Sequence, residues 1–305
     1  MTQVGQTQFD PIPIGEVAKP PFVRLPDTST MFAHRARRLR SIADQHEFRA
    51  FLTFIADLSD IQHRLQTVPP HPEPPPAAEI ARARQFKTSP LDRSRFTRDA
   101  AFDALWESFA AAVGSVAMPH SARLAMERVI SADAVTQAGM VAAVLNDAIP
   151  AAALAEHTLV AAVAQVHFAR LAAQLDPKIL VPVGDGACPV CGAPPVCSMV
   201  VGWSGALNTR FCACSLCGTL WNCPRVKCTL CGSTEGIAFQ EIAGGSGAVK
   251  AETCDACGRY VKILQQHAHR SLDPVADDVA TLALDLLLGQ SKYRRGGVNP
   301  FLLGY

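Results

Sequence analysis

Eight cysteines of this chain repeat in a fixed register, and that repeat limits the possible folds more than any other feature. Cys188 and Cys191 recur as Cys228 and Cys231, and Cys214 and Cys217 recur as Cys254 and Cys257, each time 40 residues on. Within each copy the two C-x-x-C pairs are 22 residues apart, and glycine follows every pair, as Gly192, Gly218, Gly232 and Gly258. A fixed period carrying a fixed motif marks a duplicated module.

The chemistry of such a module is metal binding by thiolates. A C-x-x-C turn brings two sulfurs about 3.5–4 Å apart, which suits a tetrahedral ion with bonds near 2.3 Å. The glycine permits a positive φ, so backbone N–H groups can fold back toward the sulfurs. One turn supplies two ligands, and the second turn must return to the same ion. The inserts read as hairpins for that return. Residues 195–201 and 208–211 flank Gly202 and Gly205 in the first copy; residues 236–239 and 248–251 flank the turn at 244–247 in the second.

Other uses of cysteine fit less well. A disulfide framework belongs to an oxidising compartment, whereas residues 1–30 are polar and proline-rich, without the apolar stretch of a signal peptide. The total of 11 cysteines is also odd. A thioredoxin-like pair is single and sits near a βαβ pattern. Inert core cysteines would keep no period. The register favours sequential sites, Cys188, Cys191, Cys214 and Cys217 in one and Cys228, Cys231, Cys254 and Cys257 in the other, with a cross-brace of the two copies as the alternative. Cys197, Cys212 and Cys223 fall outside the period and read as small buried hydrophobes, although Cys212 could trade with Cys214 as a ligand. Four thiolates leave no open coordination position, so the sites are structural or electron-transferring. Zinc and iron fit equally.

The remaining chain is long enough for a separate domain: 305 residues in all, 49% of them hydrophobic, with a formal net charge of only +1. Residues 1–29 read as an extended arm holding Pro11, Pro13, Pro20, Pro21 and Pro26. Residues 30–180 read as a helical domain interrupted by a Pro-rich linker near 67–93, with helices expected near 30–66, from about Phe102 to Val113, and over 120–131, 133–148 and 150–175. The run from Leu159 to Leu175 carries Gln165, His167 and Arg170, which marks a buried bundle helix and not a membrane span. The first metal module is expected over 186–225, the second over 226–265, a C-terminal helix over 273–290 and a tail over 291–305. Asp273 and Pro274 open that helix, and Asp277 and Asp278 complement its positive end. Asp285 and the run Arg35, Arg37, Arg38 and Arg40 read as solvated helix faces. His157 and His167 read as core or rim histidines, and His267 and His269 as bystanders to sites already filled by cysteine. No phosphate loop, nucleophile elbow or carboxylate pair stands out, and the chain does not read as an enzyme.

These motifs resemble a known family. Cys188-Pro189-Val190-Cys191-Gly192, Cys214-Ser215-Leu216-Cys217, Trp221 and Arg225-Val226-Lys227-Cys228-Thr229-Leu230-Cys231 are similar to the FdhE family of formate dehydrogenase accessory proteins. So are residues 251–257 with Tyr260-Val261-Lys262, Asp277-Asp278 through Leu282-Ala283-Leu284-Asp285, and Asn299-Pro300-Phe301-Leu302. The resemblance runs from about residue 186 onward, with a weaker echo over 30–66. It implies a multidomain α+β protein, in which a helical N-terminal domain precedes two tandem rubredoxin-like, or zinc-ribbon-like, modules and a C-terminal helix. It further implies two metal ions held by the eight register cysteines, iron favoured and zinc possible. The implied role is cytoplasmic: binding the catalytic subunit of an exported respiratory formate dehydrogenase and supporting its activation. A rubredoxin-like electron carrier and a zinc-ribbon nucleic-acid binder are the alternatives. The second is weakened by six Lys or Arg against five Asp or Glu between Asp185 and Lys262, since phosphate binding calls for a basic excess.

Overall fold

The computed structural model describes residues 20–304. Most of the expected N-terminal arm therefore lies outside the described residues. Its last part forms a short strand, β1 (Val23–Arg24).

Seven helices follow: α1 (Met31–Ala43), α2 (Arg49–Leu65), α3 (Ala77–Phe86), α4 (Ala100–Val113), α5 (His120–Ser131), α6 (Ala134–Leu145) and α7 (Leu154–Ala172). Side chains signal several starts. Asp99 accepts from the Phe102 amide and Asp133 from the Thr136 amide, satisfying otherwise orphaned donors. Every residue of α7 from Leu159 to Ala172 is buried. A helix buried on every side belongs inside a bundle, and α2, α4, α5 and α6 pack around it. The expected linker near 67–93 is not all linker, because α3 occupies its middle. Only Ala83 of α3 is buried, so its sequence carries almost no apolar stripe to announce it.

The two cysteine-bearing segments build one sheet. The first contributes β2 (Pro195–Val200), β3 (Arg210–Cys214) and β4 (Leu220–Asn222); the second contributes β5 (Ile237–Gln240), β6 (Val249–Cys254) and β7 (Arg259–Gln265). Each set is antiparallel. The sets join where β2 runs parallel to β7, with Ser198 opposite Ile263 and Val200 opposite Gln265. The order is β1-β4-β3-β2-β7-β6-β5, and β8 (Arg294–Arg295) adds to β7. Within the expected tail, the described residues 291–304 pack back on the fold: β8 is paired, and Phe301 and Leu302 are buried.

The expected C-terminal helix is divided into α8 (Pro274–Ala280) and α9 (Leu282–Leu288). Competition for carbonyls explains the break at Thr281. Lys262 Nζ donates to the carbonyls of Asp278 and Thr281, at 2.8 and 3.0 Å. The Thr281 hydroxyl donates to the Asp277 carbonyl.

That lysine also corrects the reading of Asp285. Asp285 is buried, not solvated, and meets Lys262, Arg295 and the Tyr260 hydroxyl. Asp278 joins the same cluster through Lys262, Arg295 and Asn299. Burial alone would raise the Asp278 carboxyl, but Lys262 and Arg295 together hold it below its ordinary value. The arginine run is corrected in part. Arg35 is buried and Arg38 grips both oxygens of Asp277, while Arg37 and Arg40 are exposed as expected, Arg40 pairing with Asp57 and Asp60. Asp277 and Asp278 therefore act as ion-pair partners that bind the C-terminal segment to α1 and to β7.

Candidate metal centres

Each C-x-x-C pair sits on a tight backbone turn. In the first pair the Gly192 amide returns to the Cys188 carbonyl at 2.9 Å, and the Cys188 amide donates to the Ala193 carbonyl. The same turn closes at Gly232 and Gly258. Gly232 has φ +76°, a left-handed conformation that a residue with a Cβ rarely adopts, so the turn calls for glycine. Backbone amides point at sulfur as the motif predicts: Val190 toward Cys188, and Leu216 and Cys217 toward Cys214, at 3.3–3.4 Å.

The turns converge in two groups. Cys188, Cys191, Cys214 and Cys217 have their sulfurs within 4.8 Å of one another, and so do Cys228, Cys231, Cys254 and Cys257. Neither group mixes the copies. Between turns, Cys188–Cys217 measures 3.7 Å and Cys191–Cys214 3.4 Å in the first group; Cys228–Cys257 measures 3.9 Å and Cys231–Cys254 3.8 Å in the second. Bonds near 2.3 Å in a tetrahedron place sulfurs about 3.8 Å apart. The donor sets therefore fit a tetrahedral, thiophilic ion.

Electrostatics agree with that fit. Burial pushes the Cys188 and Cys191 thiols well up and Cys228 up to about 12. Four bare thiolates would not share such a space, whereas a divalent cation displaces the protons and compensates the charge.

The two groups differ in what surrounds them. All four cysteines of the first are buried in a single apolar core that extends from Phe32 and Leu39 of α1 through α7 to Phe211. The helical region grips its knuckles directly. Ser89 Oγ donates to the Cys188 carbonyl at 3.0 Å, and the amides of Leu91 and Arg93 donate to the carbonyls of Val190 and Cys191. From α7, Gln165 Nε2 donates to the Ser215 carbonyl at 2.7 Å, while Gln165 Oε1 accepts from Arg35 and Gln62. In the second group Cys231 is exposed and Cys257 half-buried. Its module is held instead by Arg210, which pairs with Glu252 at 2.8 Å and donates to the carbonyls of Arg225 and Lys227.

Gln165, Arg35 and Arg210 were not legible as supporting residues. The one signal in sequence is a polar residue inside an apolar run, which flagged Gln165 without giving it a partner. Cys197 behaves as a buried hydrophobe whose thiol faces the Pro274 carbonyl. Cys212 does not trade with Cys214; its sulfur lies against that of Cys223, outside both groups. His157 sits over the Ala153 carbonyl, and His167 is fully buried, with burial lowering it to about 4. His157, His167, His267 and His269 belong to neither group.

With this geometry in view, comparison with known proteins is decisive. Family models of FdhE match in sequence order, the N-terminal part over residues 20–185, the central domain over 187–225 and the C-terminal domain over 226–302. The chain belongs to the FdhE family. It is 42% identical to the FdhE homolog of Rhizobium meliloti (strain 1021) over 304 residues, 99% of each chain. It is 32% identical to the homolog of Proteus mirabilis (strain HI4320), covering 92% of this chain and 91% of that one. The crystal structure of the FdhE protein from Pseudomonas aeruginosa superposes with a TM-score of 0.82 at 27% identity, covering 93% of this chain and 99% of that one. The helical region, the sheet and both four-cysteine groups thus belong to an FdhE fold. No described helix is long and apolar enough to cross a membrane.

Proposed function

We propose that this FdhE protein is a cytoplasmic maturation factor for a respiratory formate dehydrogenase. It binds the catalytic subunit before export and supports its activation, without turning over formate itself. The observation that carries this reading is the family match along the whole described chain, from residue 20 to residue 302. The geometry is in keeping with it. Both sulfur sets are closed, so an ion held by Cys188, Cys191, Cys214 and Cys217, or by Cys228, Cys231, Cys254 and Cys257, would have no position left for a substrate. Iron or zinc would serve as that ion.

The test is a deletion strain with no second copy of the gene, complemented with wild type or with C228A/C231A. Formate oxidation is measured in extracts beside immunodetection of the catalytic subunit. Wild type should restore activity, and the variant should leave the subunit present but largely inactive. Full activity in the uncomplemented strain would overturn the role.

A further inference from the structure

Cys212 and Cys223 are used by neither four-sulfur group, and the fold brings them together. Trp221 opposes Cys212 across β3 and β4. Cys223, two residues on, therefore takes the diagonal position on the same face. The two sulfurs are 3.4 Å apart, with the Cys212 thiol donating to Cys223. Cys212 is buried, whereas Cys223 is partly open to solvent. Both line a cavity of about 210 Å³ between the two copies, walled by Phe22, Asp185, Pro189 and Lys227. Arg210 stands beside the pair, its carbonyl accepting from the Cys223 amide at 3.0 Å. The bond from Cys212 and the Arg210 charge hold the Cys223 thiol below its ordinary value.

We propose that Cys212 and Cys223 form a thiol–disulfide exchange site that accepts a low-molecular-weight disulfide through this cavity. The Cys223 thiolate attacks one sulfur of the small disulfide, whose S–S bond breaks and releases one thiolate. The Cys212 sulfur then attacks Cys223 Sγ, breaks the mixed disulfide and releases the second. The protein gives up two electrons and two protons; the small disulfide is reduced to two thiols. Closing from 3.4 Å to a bond of about 2.05 Å asks the sulfurs to move about 1.4 Å, by side-chain rotation with a small shift of the backbone at Cys223, which lies just past the end of β4.

The experiment uses the full chain, reduced, loaded with zinc and exposed without denaturant to glutathione disulfide, followed by intact mass and peptide mapping. Wild type should lose two hydrogen atoms, yield a cross-linked peptide pair joining Cys212 to Cys223, and keep its zinc. C212S should stop at a stable glutathione adduct on Cys223, because no neighbouring thiol resolves it. C223S should remain unmodified at Cys212. The proposal fails if wild type keeps both thiols free, if C212S gains no adduct, or if the cross-link includes a register cysteine with loss of zinc. Should a variant not fold, the wild-type map alone still decides.

Discussion

The two four-cysteine groups share a register, a turn and nearly the same sulfur spacing, yet one lies wholly inside the main core and the other opens to solvent at Cys231. In the first, Ser89, Leu91, Arg93 and Gln165 hold the knuckles from the helical side. In the second, Cys231 is exposed, and support comes from Arg210 and the paired strands. A duplicated motif thus keeps its coordination geometry while its surroundings assign it a different mechanical part. The first group unites helices and sheet into one body. Perturbing the second is expected to reach that body less, although β7 pairs with β2.

The sharpest way to break this comparison is to cut each group in turn. C188A/C191A should unfold the whole chain cooperatively, because it removes two core sulfurs and half the donors of the ion that the group would hold, and soluble yield should collapse. C228A/C231A should loosen only the second module, leaving α7 amides protected in hydrogen exchange. Equal loss of α7 protection in both would show that the groups are mechanically equivalent.

Next in size is the buried charge cluster that ties the second copy to the C-terminal helices. Lys262→Ala leaves the buried carboxylates of Asp278 and Asp285 with Arg295 alone for two negative charges, and should cost about 3–5 kcal/mol in chemical denaturation. The double variant K262M/D285L should recover part of that loss. An effect below about 1 kcal/mol, the range of exposed pairs, would mean that the cluster is hydrated.

A smaller effect is expected at the helical grip on the first group. Gln165→Ala deletes the donor to the Ser215 carbonyl and leaves the Arg35 side chain short of an acceptor. The loss should be about 1–3 kcal/mol. Metal should leave the first group faster than in wild type, while release from the second is unchanged. Identical acceleration at both would contradict the separation described above.

The mildest test leaves the fold intact. The metal-loaded protein should bind two ions per chain, and a chelator should remove them in two phases. Native-state alkylation during the first phase should label Cys231 and Cys257, with the first group reacting only in the second. A single phase, or labelling that begins at Cys188 or Cys191, would reverse the order.

Much of this architecture was legible from sequence because it is local. A C-x-x-C-G turn is set by a few consecutive residues, so its spacing announced the knuckles, and the 40-residue repeat announced two of them. The cap at Asp273 and the apolar run of α7 were readable for the same reason. The rest depends on residues distant in sequence. Nothing near Asp285 reports that Lys262 and Arg295 meet it in the interior, and nothing near Arg35 reports Gln165, 130 residues away. The break at Thr281 arises because a lysine from another element takes carbonyls that the helix would have used. Helix α3 was missed because it buries almost nothing.

By itself, then, the sequence determined the ligand chemistry, the number of sulfur sets and their place after a helical region. Periodicity and backbone turns are properties of neighbours along the chain. Only the tertiary structure decided which set is buried, which charges pair inside, and that Cys212 lies against Cys223. Burial and side-chain encounter are sums over contacts between separate elements, here fixed when β2 aligned parallel to β7 and drew two copies of one motif into unequal surroundings.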